Sequence, residues 1–201
     1  MRRRHRIRTI LLLAGVPIAL LLAVYVYSVT DAGLDTSPLP RPEVNAPFIR
    51  TPDEVVDAML KLADPAPDEL LYDLGCGDGR IVIGAAQRYG CRAVGYDIDP
   101  QRVNEARENV RSAGLEDRVT IVEQDVFTLD LSGADVVTLY LLPRLNARLL
   151  PQLRQMRSGA RIVSHDFDLP GVEPDRTVVV HEQPREVEHT LYLWTAPLGL
   201  E

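Results

Sequence analysis

The stretch LLYDLGCGDGRIVIGAA, residues 70–86, runs from a short apolar segment through three glycines straight into a helical pattern. Strand, glycine loop and helix in immediate succession open a βαβ unit, and such units build parallel sheets covered by helices. In an open parallel sheet, ligands bind beyond the carboxyl ends of the strands, and the turn after the first strand is the usual cradle. Gly75, Gly77 and Gly79 stand in that turn. Glycine admits positive φ and a close backbone approach, and the helix N-terminus adds amide donors. The spacing is G-x-G-x-G, with Arg80 where the last glycine of a dinucleotide fingerprint would stand. Asp73 precedes the loop and Asp78 lies inside it, so a cation suits the loop better than a pyrophosphate.

The rest of the body repeats the alternation. Strand patterns fall at residues 70–74, 93–97, 119–123, 136–141 and 161–164, with helical patterns at 80–89, 100–112 and 144–157. The last helix carries Leu145, Leu149, Leu153 and Met156 as one apolar stripe. An earlier helix opens at TPDEVVDAMLKLA, where Thr51 fits the cap, Pro52 the first turn and Glu54 the capping-box acid. The final runs RTVVVHE and EHTLYLWTA are separated only by QPREV, which permits an antiparallel hairpin and excludes a parallel crossover. The expected fold is α/β, a Rossmann-like, doubly wound, mostly parallel sheet with an antiparallel C-terminal hairpin.

A different element precedes this body. Residues 10–29 carry no charge, and twenty helical residues span about 30 Å, the thickness of a bilayer's hydrocarbon core. Tyr25 and Tyr27 stand at the far end as interfacial aromatics, and five arginines precede the run within the first eight residues. The expected organisation is a basic N-terminus and transmembrane helix over 1–29, a proline-rich tether over 30–47 and the α/β domain over 48–201. Arginines before a single span favour a cytoplasmic N-terminus, which sends the body to the opposite side. The body itself is nonetheless expected on the cytoplasmic side, against that bias.

Without the arginine-rich segment the chain holds 17 basic residues, 22 less those five, against 29 acidic ones. Such a body is a poor match to phosphate backbones, so nucleic acid is not expected as a partner.

The carboxyl ends of the next strands sharpen the ligand. The second strand ends at Asp97, placed to accept hydrogen bonds from both hydroxyls of a ribose, and the third runs to Asp125, placed to accept from an adenine amine. Acidic tips beside a glycine loop describe a pocket for a nucleoside with a positively charged tail, and S-adenosylmethionine is such a ligand.

YDLGCGDGR, VGYDIDP, EQDVF, VVTLYLLP and RIVSHDF resemble, in order and spacing, the successive motifs of class I S-adenosylmethionine-dependent methyltransferases over about residues 47–196. PFIRTP, VVTLYLLP and the N-terminal apolar segment resemble more narrowly a membrane-associated group of protein-lysine methyltransferases. The mitochondrial members of that group modify ATP synthase c subunit and the adenine nucleotide translocator. The resemblance implies that Asp73, Gly75, Cys76, Gly77 and Gly79 bind the methionine moiety, Asp97 with Ile98 the ribose, and Asp125 with Val126 the adenine. It places Tyr140, with Thr138 and Pro143, at the transfer site. The acceptor it implies is a protein lysine, on a membrane protein neighbouring the enzyme. A small-molecule or lipid acceptor, or a cofactor-binding scaffold without turnover, are the rival readings.

The remaining polar residues have plainer readings. Asp99 before Pro100 is a helix cap. His165, Asp166 and Asp168 read as a solvated loop, His181 and His189 as surface or cross-strand residues, and no metal site is expected. Trp194 reads as core. Cys76 and Cys91 fall at opposite ends of the sheet, beyond disulfide reach, and are expected to be free.

Overall fold

The computed structural model describes residues 48–199, and the apolar segment 10–29 and the tether 30–47 lie outside the described residues. Among the described residues no helix is long and apolar enough to cross a membrane. Elements follow in the order α1 (Asp53–Ala63), β1 (Leu70–Leu74), α2 (Arg80–Tyr89), β2 (Arg92–Asp97), α3 (Pro100–Ser112), β3 (Val119–Glu123), β4 (Val136–Leu139), α4 (Pro143–Leu153), β5 (Arg161–His165), β6 (Arg176–Glu182) and β7 (Val187–Thr195). One short 3₁₀ turn, Val126–Thr128, follows β3.

The seven strands form a single sheet in the order β3-β2-β1-β4-β5-β7-β6. Strands β1 to β5 pair in parallel, β7 runs antiparallel to β5, and β6 runs antiparallel to β7. The strand order reverses between β1 and β4, and the resulting crevice at their carboxyl ends is where such sheets bind ligands. The C-terminal hairpin forms as expected, but its second strand is the one that adds to the parallel sheet.

Period-two alternation divides the core between two faces. From β1, Leu71 packs with Val55, Met59, Val82 and Ala106 of the first three helices, whereas Leu74 packs with Leu145, Leu149 and Leu153 of α4 on the other face. Trp194 is buried on the α4 side, where its indole N–H donates to the Val172 carbonyl at 2.9 Å. The predicted stripe of Leu145, Leu149, Leu153 and Met156 is buried in full.

Three local expectations are corrected. Pro52 rather than Thr51 occupies the cap position of α1, with no side-chain cap bond. Thr51 is buried instead, its carbonyl accepting from Arg80 at 2.9 Å, and Asp53 and Glu54 supply the favourable first-turn charge. Strand β4 ends at Leu139, so Tyr140 lies in the turn leading to α4. Helix α4 stops at Leu153, shortly after the internal Pro151, which has no N–H to continue the ladder. The predicted cap of α3 holds: Asp99 accepts from the Gln101 N–H at 2.8 Å.

Candidate active site

A cleft of about 1020 Å³, measured out to its open mouth, lies over the carboxyl ends of β1, β2 and β4. Its glycine loop is held by β2: the Gly75 and Cys76 amides donate to the Tyr96 carbonyl at 2.8 and 2.9 Å. Gly77 N–H donates to Asp97 Oδ2 at 2.8 Å, and Asp99 N–H donates to Asp97 Oδ1 at 3.0 Å. A single carboxylate thus ties the first loop to the second, and each oxygen keeps a further lone pair for a ligand hydroxyl.

The three glycines differ in what they do. Gly75 lines the cleft with φ +82°. Gly77, at φ +54°, lies under the Phe48 ring, which a Cβ there would strike. Gly79 caps α2 at φ +81°, and a Cβ there would sit 3.1 Å from Ala106 of α3, so its role is helix packing.

Asp73 is buried at the floor of the cleft and accepts from Thr138 Oγ1 at 2.7 Å. Burial drives its pKa to about 7; the Thr138 hydrogen bond opposes the shift, while the neighbouring Asp97 and Asp78 charges add to it. Asp78 moves the other way. Burial pushes its pKa up, but hydrogen bonds and charge from Arg80 outweigh burial and hold it below the usual carboxylate range. Arg80 Nε donates to Asp78 Oδ1 at 2.9 Å, and its Nη1 reaches Asp53 Oδ1 at 3.1 Å, pinning the loop to the start of α1. The carboxylate that looked awkward inside a glycine loop is therefore neutralised locally.

Asp125 caps the 3₁₀ turn, accepting from the Phe127 N–H at 2.9 Å, and lines the cleft with Val126. Ile98 and Cys76 also line it, and burial pushes the Cys76 thiol far above its ordinary pKa, so it offers contact surface rather than a nucleophile. Cys76 and Cys91 are both free and buried. Tyr140 and Leu141 also line the cleft, as do Phe48, Ile49 and Arg102. The Arg102 guanidinium lies 4.8 Å above the Phe48 ring.

Of the expected site residues, Asp73, Gly75, Cys76, Asp97, Ile98, Asp125, Val126 and Tyr140 come together around this cleft. Gly77, Gly79, Thr138 and Pro143 are not among the residues that line it. Thr138 supports Asp73 from below, and Pro143 opens α4. Arg80 and Arg102 escaped the sequence reading because an arginine in a first helical turn carries no signal of what it reaches. Phe48 could have been found from PFIRTP, where an exposed aromatic precedes the first helix.

The solvated-loop reading of His165 and the surface reading of His189 do not hold. Both are buried, and His165 stacks on Tyr140 with ring centroids 3.8 Å apart. Their strands are neighbours only because β7 inserts beside β5, which strand patterns alone did not reveal. Asp168 is exposed as expected, and His181 faces Glu188 across the hairpin at 3.7 Å.

Five aspartates and two arginines line the cleft, an excess of negative charge that fits a ligand bearing a sulfonium and an ammonium. The comparisons agree. The family model described as the ANTKMT methyltransferase domain matches residues 73–176. A protein-lysine N-methyltransferase of Saccharolobus islandicus is 40% identical over 152 residues, covering 75% of this chain and 93% of that protein. The adenine nucleotide translocase lysine N-methyltransferase of Mus musculus is 33% identical over 65% of this chain and 57% of its own length. Among solved structures, an RNA methyltransferase from Salinibacter ruber in complex with S-adenosyl-L-homocysteine is 48% identical, with a TM-score of 0.70 over 76% of this chain and 97% of that one. Motifs, cleft and relatives converge: the chain belongs to the ANTKMT methyltransferase family and is an enzyme that uses S-adenosylmethionine.

Proposed function

We propose that the enzyme methylates the side-chain amine of a protein lysine, and that residues 10–29 hold it at a membrane beside a membrane-protein acceptor. The observation that carries the acceptor is the Saccharolobus islandicus relative, named a protein-lysine N-methyltransferase and matched over 93% of its length. The mouse translocase methyltransferase supports the same chemistry. In this reading residues 1–29 are the anchor, 30–47 the tether and 48–201 the catalytic domain, lying on the cytoplasmic side where the cofactor is abundant.

Asp73 receives the cationic amino group of the methionine moiety, Asp97 the ribose hydroxyls, and Asp125 the adenine amine. Bound there, S-adenosylmethionine supplies a methyl group on a positively charged sulfur. An acceptor amine would have to lose its proton before its nitrogen carried the lone pair needed to take up that methyl group. Tyr140, Leu141 and Leu145 form an aromatic and apolar wall that disfavours an ammonium and aids that loss. Holding the two reacting atoms in line supplies much of the acceleration.

The Salinibacter ruber structure, described as an RNA methyltransferase, raises a second acceptor class. The acid-rich lining of the cleft opposes it. Incubation of the full chain with methyl-labelled cofactor and a membrane extract separates the readings. Label recovered as methyl-lysine after acid hydrolysis supports the proposal. Label confined to nuclease-sensitive material or to the lipid fraction overturns it.

A further inference from the structure

Behind the Tyr140 wall lies a cluster that cofactor binding does not use. His165 ends β5, Asp166 follows it at φ +59°, and His189 sits on the adjacent β7. Asp166 is fixed from both sides by Thr190: its N–H donates to the Thr190 carbonyl at 2.7 Å, and its Oδ1 accepts from the Thr190 N–H at 3.0 Å. This leaves Oδ2 turned toward the imidazoles. His165 Nε2 lies 2.9 Å from His189 Nδ1, His189 Nδ1 lies 3.2 Å from Asp166 Oδ2, and His165 Nε2 lies 3.3 Å from that same oxygen.

Three potential donor atoms at the corners of so small a triangle cannot all be satisfied by the protons of neutral imidazoles. If one ring donates inward, the remaining ring lone pair faces the carboxylate. If both donate inward, two N–H groups face each other and both outer nitrogens become buried acceptors. Among the described residues, no hydrogen-bond partner reaches those outer nitrogens, His165 Nδ1 and His189 Nε2. A cation at the centre removes the inward conflict, because all three lone pairs can then point at it while each ring carries its proton on the outer nitrogen. For His189 that outer nitrogen lies 3.7 Å from Glu182 Oε2, a carboxylate on the side toward which its proton would point.

The dimensions agree with this. Ligands about 2.0–2.1 Å from a metal are about 3.3–3.4 Å apart in a tetrahedral site and about 2.9–3.0 Å apart on an octahedral face, and the triangle falls within that span. Two imidazoles and one carboxylate form a donor set suited to zinc and its first-row neighbours.

We propose that His165 Nε2, His189 Nδ1 and Asp166 Oδ2 bind one divalent transition-metal ion of the zinc class. Three protein ligands leave a further position for water. The Asp166 side chain is 27% exposed, which gives the ion a route of entry. The ion acts as a brace: His165 stacks beneath the Tyr140 ring, and the Tyr140 hydroxyl lies 3.5 Å from the same Asp166 Oδ2. Filling the site fixes the wall against which an acceptor is held.

The test uses the full chain and does not depend on methyl transfer. The chain is freed of metal with a chelator, dialysed against Zn²⁺ or Co²⁺ and washed. The expected result is about one zinc per chain, a higher Tm than the metal-free form, and visible ligand-field bands with Co²⁺. His189→Gln and Asp166→Asn, each shown folded by circular dichroism, should lower metal affinity at least about tenfold and abolish the Tm response. A wild-type chain that binds no Zn²⁺ and gives no Co²⁺ spectrum overturns the proposal and leaves a metal-free hydrogen-bonded triad. Metal uptake undiminished in both variants overturns it equally, because the ion then sits elsewhere.

Discussion

Thr138 Oγ1 and Asp73 Oδ1 share a 2.7 Å hydrogen bond between neighbouring strands β4 and β1, beneath the floor of the cleft. It is the polar partner that Asp73 retains in burial, and it does not offset the cost of a desolvated carboxylate. With its folded pKa raised to about 7, Asp73 favours the folded state when protonated. That contribution is fully present below the ordinary value near 3.8 and is lost as pH rises through about 7. In the cofactor-free enzyme Asp73→Asn should therefore gain stability on the order of 2–4 kcal/mol at pH 8 and little or none near pH 4. Cofactor binding should fall sharply in the same variant. Urea denaturation at the two pH values checks the first half, and a variant no more stable than its parent at pH 8 would contradict the reading.

Asp97 makes the opposite case, a carboxylate whose oxygens already accept from Gly77 and Asp99 yet keep capacity for a ligand. Asp97→Ala should weaken S-adenosylhomocysteine binding by about 2–4 kcal/mol through lost charge-assisted hydrogen bonds. Calorimetry on the full chain measures it. Unchanged affinity would remove Asp97 from the cofactor site.

The pairing of Arg80 with Asp78 predicts a non-additive cycle. Both side chains are mostly buried, at 15% and 13% exposure. Arg80→Met leaves the Asp78 carboxylate without its counter-charge and should destabilise by about 3–5 kcal/mol. Adding Asp78→Asn should recover a large part of that loss. Equal destabilisation in single and double variants would show that Arg80 acts mainly through Thr51 and Asp53.

Tyr140 separates ring from hydroxyl. The ring stacks on His165 and lines the cleft, whereas the hydroxyl makes a long 3.5 Å contact to Asp166. Tyr140→Phe should cost less than about tenfold in kcat/KM, and Tyr140→Ala should cost about 100-fold or more as the acceptor loses its wall. Equal losses in the two would assign the chemistry to the hydroxyl.

Much of this architecture could be read from local pattern. The boundaries of β1, β3, α2 and α3 follow from apolar period and turn chemistry, as does the Asp99 cap, because each is fixed within a few residues of chain. The gathering of Asp73, Asp97 and Asp125 around one cleft follows from the rule that parallel strands present their carboxyl ends together. What escaped was decided by neighbours remote in sequence. His189 reaches His165 only through the insertion of β7 beside β5, and Thr138 and Gly79 prove to support the site from behind through Asp73 and Ala106. Thr51 stands outside the cap and instead offers its carbonyl to Arg80, across 29 residues of chain.

The strand order bears finally on how the body is assembled during synthesis. In β3-β2-β1-β4-β5-β7-β6, the strand translated last takes an interior place, and the one translated before it forms the rim. Until Val187–Thr195 is in place, β5 therefore presents an open row of amides and carbonyls, and β6 has no neighbour to join. The nascent sheet can close only in one late step, in which a single segment zips β5 on one side and β6 on the other. Loss of that segment would leave two raw edges rather than a shortened one, a form expected to aggregate instead of folding with a trimmed end.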